Sequence, residues 1–282
     1  MLLTWGSACF DPVEQCGAPS CAAAADAGTD AGIDAGRDAG IDAGRDAGTD
    51  AGRDAGTDAG HDAGTDAGCV AGACCVPAPS GLISRWDGEG TADDSTGLNP
   101  GTLSMGATFA AGKRGQAFAF TGMAMMTATS TNMPTGSADR TIELWARMDT
   151  DPAFQCLFAG YGQFGTLNAA YELGCVGRTL FFSNWGDQVW GPTLFLSAWH
   201  HVAVTNQGST VRLYLDGNEV ASGAQVLATP AGTPFFVGRV GAMTGYDIRL
   251  TGLADEIAVY SRALSASELR DIYRAGSFGK CR

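Results

Sequence analysis

From about Pro79 onward, short apolar runs are cut by turn residues at close intervals. Thr141–Met148 reads TIELWARM and alternates cleanly. Ile142, Leu144, Ala146 and Met148 fall on one face, and Thr141, Glu143, Trp145 and Arg147 on the other, the period-2 signature of a strand. Gly81–Trp86, Gln116–Phe120, Leu157–Tyr161, Ala170–Cys175, Thr179–Ser183, Phe235–Val240 and Glu256–Tyr260 read as further strands. The firmest local signal is HHVAVTNQGSTVRLYLDGNEVASG, three short strands from His200 to Gly223. Asn206-Gln207-Gly208 parts the first two, and Asp216-Gly217-Asn218, a hairpin turn of the Asp-Gly kind, parts the others. Helical periodicity comes only near the end. There Ser265-Ala266-Ser267-Glu268 forms a capping box, and Leu269, Ile272 and Tyr273 share a face. About twelve short strands with one terminal helix predict an all-β, two-sheet antiparallel sandwich.

The segment before this domain has a different character. Asp26–Gly68 repeats Asp-Ala-Gly-X with a period of four. Gly at every fourth position costs about 1 kcal/mol each in a helix, and Asp, Ala and Gly build no core. The predicted role is a disordered, self-repelling tether, spanning about 35–40 Å r.m.s. as a Gly-rich coil. Its 11 Asp and three Arg supply most of the net charge of -13. The remainder, about 200 residues, suits one single-core domain. No basic groove is visible in it, which argues against nucleic acid as a partner. The sequence thus divides into a Cys-containing N-terminal segment (1–25), the linker (26–68), a Cys-rich connector (69–80), the β domain (81–276) and a tail (277–282).

The chain has nine cysteines, without Cys-x-x-Cys. Wide spacing and only three histidines oppose a zinc site and favour disulfides in an oxidising compartment. Cys156 and Cys175 flank a predicted hairpin and are expected to pair. Cys281, after the helix, is expected to reach Cys74 or Cys75, before the first strand. No run approaches the ~18 apolar residues that span a bilayer. The opening MLLTWGSACFDP resembles the end of a bacterial lipoprotein signal, which makes Cys9 a lipidation candidate and an N-terminal lipid the one membrane link expected. It lacks a basic n-region and a long apolar stretch.

LISRWDGEGTADDSTGLNPGTL, GKRGQAFAFTG, RTIELWARMD, WHHVAVTNQGSTVRLYLDGNEVASG and GLADEIAVYSRALSASELRDIY, in that order, resemble the LamG-like jelly roll of the concanavalin A-like lectin/glucanase superfamily, from about Gly81 to Gly276. The resemblance implies a jelly-roll sandwich of two curved antiparallel sheets. It leaves the ligand open, because one fold hosts many functions. It also suggests that the loop after Trp86 lies near the last strand. That makes Asp87, Asp94 and Asp255 candidate ligands for a structural Ca2+, which takes six to eight oxygens. The alternative is an acidic turn-forming loop.

His200 and His201 invite a catalytic or metal reading, but neighbours on a strand point to opposite faces. The Glu-x-Asp-x-x-Glu strand motif of the superfamily's glucanases is absent, as is a Gly-x-Ser-x-Gly elbow. No catalytic residue is therefore expected. Aromatic side chains in Gly-rich stretches, Tyr161, Phe164, Trp185 and Trp190, are the candidates for ligand contact. The leading expectation is a non-catalytic, secreted or cell-surface binding or adhesion module whose partner is a glycan or an extracellular protein. A divergent carbohydrate-active hydrolase and a purely structural surface domain are the alternatives.

Overall fold

The computed structural model describes residues 75–240 and 248–282. Cys9, Cys74 and the linker lie outside the described residues. In chain order the strands are β1 (Leu82–Trp86), β2 (Gly101–Ser104), β3 (Thr108–Ala111), β4 (Gln116–Phe120), β5 (Met125–Ala128), β6 (Arg140–Met148), β7 (Gln155–Gly162) and β8 (Ala170–Val176). They continue with β9 (Thr179–Ser183), β10 (Gln188–Thr193), β11 (Trp199–Gln207), β12 (Thr210–Leu215), β13 (Asn218–Ala224), β14 (Phe235–Gly238) and β15 (Gly252–Tyr260). One helix, α1 (Ala266–Ala275), follows, then a 3-10 turn over Gly276–Phe278.

The strands form two antiparallel sheets. One has eight strands in the order β13-β12-β11-β6-β15-β4-β3, with β1 also paired to β15. The other has seven, β10-β9-β8-β7-β14-β5-β2. Ile142, Leu144, Val202, Val204, Ile257 and Val259 from the first sheet meet Phe158, Tyr171, Leu173, Phe182, Phe235 and Val237 from the second in one core. The alternation read from Thr141–Met148 thus holds. Its apolar face enters the core, and Glu143 and Trp145 face outward.

The hairpin between β12 and β13 has Asp216 and Gly217 at φ 51° and 75°. Both are left-handed, as a type I′ turn requires, and Asp-Gly tolerates this best. At the other end, Ser265 caps α1 through the predicted box. Its hydroxyl accepts from the Glu268 N–H, and the Glu268 carboxylate accepts from the Ser265 N–H. Leu269 and Ile272 bury against Ala203, Tyr214, Ala258 and Tyr260 on the outer face of the eight-stranded sheet.

Among the described residues, two disulfides are present. Cys156–Cys175 joins directly opposed residues of β7 and β8. Cys75–Cys281 ties the start of the domain to its end. Four strands, β2, β3, β5 and β10, were not among the strands expected from sequence.

Candidate functional site

The eight-stranded sheet carries a charged cluster on its outer face, beneath the C-terminal tail. Lys280 is fully buried. Its Nζ lies 2.8 Å from Glu143 Oε1 and donates to the Glu256 carbonyl at 3.1 Å. Glu143 Oε2 lies 3.0 Å from His201 Nε2. Arg85 donates to Glu256 and to the carbonyls of Lys280 and Cys281, and Arg114 also holds the Lys280 carbonyl. Burial alone would push the Glu143 carboxyl up. Lys280 and His201 outweigh that and hold it at about 2. The Val76 N–H donates to the Gly279 carbonyl at 3.0 Å, and the Cys281 N–H to the Val76 carbonyl at 2.8 Å. These contacts fix the tail against the sheet, and the cluster acts as a clasp.

The two histidines divide as strand geometry requires. His201 enters this clasp. His200 faces the other way, where its Nε2 accepts from the Phe195 N–H at 3.2 Å. The proton is therefore on Nδ1, which donates to Asp216 Oδ2 at 2.9 Å. It pins the hairpin turn to the loop before β11.

The three carboxylates put forward for calcium are not gathered. Among the described residues, no group of three or more His, Cys, Asp or Glu side chains is placed to hold a metal ion. Asp94 is occupied in its own turn. Its oxygens accept from the N–H groups of Arg85, Thr96 and Asn99 and from the Thr96 hydroxyl. Asp87 pairs with Arg85 and Arg282. Asp255 Oδ2 accepts from the Arg114 N–H at 2.9 Å, and burial pushes this carboxyl up to about 7. The loop after Trp86 also serves the fold. The turn that Asp94 caps delivers Asn99, which is fully buried. Asn99 Oδ1 accepts from the Thr129 hydroxyl and the Thr131 N–H, both at 2.7 Å.

Those threonines line a groove of about 680 Å3 on the other sheet. Its walls are Thr102 and Thr127 on β2 and β5, the loop Thr129–Asn132, and the loop Ala231–Pro234. Such a volume is ordinary for a small-molecule site. No charged side chain lines it. Directly opposed residues of neighbouring strands share a face, so register shows what lies alongside. Thr102 opposes Thr127, Thr127 opposes Phe236, Phe236 opposes Gly160, and Gly160 opposes Glu172. Ser183 and Gln188 complete that row. A second row runs Leu157, Gly174, Phe181, Trp190. Glu172 is the one Asp, Glu, Lys, Arg or His in the seven strands of this sheet.

The candidate aromatics fare differently. Trp190 is 48% exposed and stacks on Phe181 with centroids 5.5 Å apart. Trp185 and Phe164 are half-buried against Leu157 and Ile248 on this face. Tyr161 is a correction: it is 1% exposed and belongs to the core. A bulge between Leu157 and Ala159 shifts the parity of β7 and turns Tyr161 inward. Its hydroxyl donates to the Pro134 carbonyl at 2.7 Å and accepts from Arg140.

The sequence matches the family model of the concanavalin A-like lectin/glucanases superfamily, of laminin G type, over residues 120–270. That is more than half of the chain, and the chain belongs to this superfamily. Among solved structures it is similar to domain 4 of AbnA, a GH43 extracellular arabinanase from Geobacillus stearothermophilus, in complex with arabinotriose. There the identity is 21% and the TM-score 0.55, covering 67% of this chain and 97% of that one. It is also similar to Trypanosoma rangeli sialidase in complex with the inhibitor DANA, at 17% identity and TM-score 0.56, covering 71% of this chain and 35% of that one. A third is the binding domain of Paraclostridial Mosquitocidal Protein 1, at 14% identity and TM-score 0.55, covering 68% of this chain and 52% of that one. The chain thus spans about a third of the sialidase and half of the toxin domain. At these identities the likeness shows the fold. No curated protein sequence matches.

Proposed function

We propose that residues 75–282 form a non-catalytic module that binds a neutral glycan on the outer face of the seven-stranded sheet, outside the cell, at the end of an acidic tether. One observation carries the reading. The groove is walled by threonine, serine and asparagine side chains interspersed with Pro100, Ala128, Ala231 and Pro234, and holds no charge. Hydroxyls and amides both donate and accept, which suits the hydroxyls of an uncharged sugar. Trp190, exposed on the same face, supplies a flat apolar platform. The similar arabinanase domain was solved with arabinotriose, which makes neutral oligosaccharides the first ligands to try. Two disulfides favour an oxidising compartment. Glycoside hydrolysis generally uses a pair of carboxyls, and the strands of this face hold only Glu172.

Isothermal titration of the disulfide-intact protein against neutral and uronic-acid oligosaccharides tests this. Binding confined to neutral ligands, without turnover, is expected. Preference for acidic ligands, or hydrolysis of a bound one, would reject the proposal.

A further inference from the structure

Glu172 is costly where it stands. It is fully buried in the middle of the seven-stranded face. Gln155 Nε2 donates to its Oε1, and the Trp185 indole is its other partner. Burial pushes the carboxyl up to about 8, against the pull of those two hydrogen bonds. Among the described residues, the charged side chains on the surrounding segments are those of Asp187, Arg239 and Arg249. A leucine or glutamine here would avoid the cost of burying an ionisable group, and groups with perturbed ionisation cluster at working sites.

The roof above it is also specialised. Trp185 holds φ 67°, a left-handed conformation that bulky residues seldom adopt. Its N–H is tied to the Ser183 hydroxyl at 3.0 Å, and the next N–H, of Gly186, to Asn184 Oδ1 at 2.7 Å. The backbone is fixed, while the indole is half-exposed at the face. From Thr127 in the groove to Glu172 is three strand steps, about 14 Å at normal strand spacing.

We propose that Glu172 and Gln155 form a hydrogen-bonding subsite for one ring of the bound glycan, roofed in the free protein by the Trp185 indole. The proposal rests on the glycan-binding reading of this face. A protonated carboxyl donates one hydrogen bond and accepts others, as a sugar hydroxyl needs. Ionised Glu172 loses its donor and resists burial under a ligand.

The test is oligosaccharide affinity against pH for the wild type and Glu172→Gln, with tryptophan fluorescence followed in both and in Trp185→Phe. If only the protonated form binds, wild-type affinity falls about tenfold between pH 7 and 9, in proportion to the protonated fraction. Glu172→Gln keeps a neutral donor and acceptor, and its affinity stays flat across that range. Ligand changes the fluorescence of the wild type, and Trp185→Phe loses that change. Binding that is equally flat in the wild type and Glu172→Gln overturns the subsite and leaves the glycan-binding face standing. Binding of no oligosaccharide by either protein at any pH overturns both.

Discussion

Replacing Lys280 with Met would leave Glu143 buried without its closest cation. Both side chains have 0% exposure, so solvent cannot take over the lost partner. Removing one member of such a buried pair costs about 3–5 kcal/mol, which for a domain near 200 residues lowers Tm by roughly 10 °C. The pH dependence is more diagnostic than the size. In the wild type, burial works to raise Glu143, but Lys280 and His201 hold it at about 2, below its usual 4.5. A depressed carboxyl stabilises the fold above pH 4.5, here by about 3 kcal/mol, and loses that contribution as pH falls toward 2. In Lys280→Met the burial effect dominates and the carboxyl rises. The variant is then relieved, where the wild type is not, as pH drops from 7 to 4. Urea denaturation followed by circular dichroism at both pH values, with disulfides intact, reads this directly. Adding Glu143→Gln removes the stranded charge and should return at least half of the loss at pH 7. A loss under about 1 kcal/mol, or a loss that Glu143→Gln leaves unchanged, would refute the buried clasp.

Glu172 makes the opposite prediction. Its carboxyl is raised to about 8 by burial, so its contribution is complete below pH 4.5 and is lost as pH rises through 8. Glu172→Gln should match the wild type at pH 4 and exceed it by about 3 kcal/mol at pH 7; equal stability at both would contradict the assignment. Cys281→Ser opens a bridge with a sequence separation of 206 and should lose up to about 5 kcal/mol by chain entropy. Reductant should bring the wild type down at least as far, because it opens Cys156–Cys175 as well, and an unchanged midpoint in the variant would show that the tail holds without its bridge. Calcium added after chelation should leave the melting midpoint unchanged, because the Asp94 oxygens already accept four hydrogen bonds. A raised midpoint would show a site that the native state assembles.

Where local pattern and tertiary environment agree, the sequence is readable. The Thr141–Met148 alternation, the Asp216-Gly217 turn and the Ser265 capping box each encode their conformation within a few residues. The strands that escape notice are short and lie at or next to sheet edges, such as Gly101–Ser104 and Gln188–Thr193. Edge positions impose little apolar periodicity. Tyr161 misleads because one bulge, invisible in sequence, inverts the facing of every residue after it. Nothing in the local sequence singles out Lys280. Its burial depends on Glu143 and Glu256, which are distant in sequence and brought together by β6 and β15. The acidic loop can be read in two ways. Aspartates suit metal binding and turn capping equally, and here Asp94 caps a turn and so places Asn99 under the groove wall. The groove itself has no sequence motif. Its threonines meet only through the pairing of β2, β5 and β14.

The most direct test of the glycan-binding face is a backbone amide chemical-shift map with a neutral oligosaccharide. Shifts should concentrate at Thr102, Thr127, Thr129–Asn132 and Phe236, and extend toward Trp185 and Trp190. Shifts confined to the outer face of the eight-stranded sheet, around Tyr214 and α1, or no shifts at saturating ligand, would contradict the account.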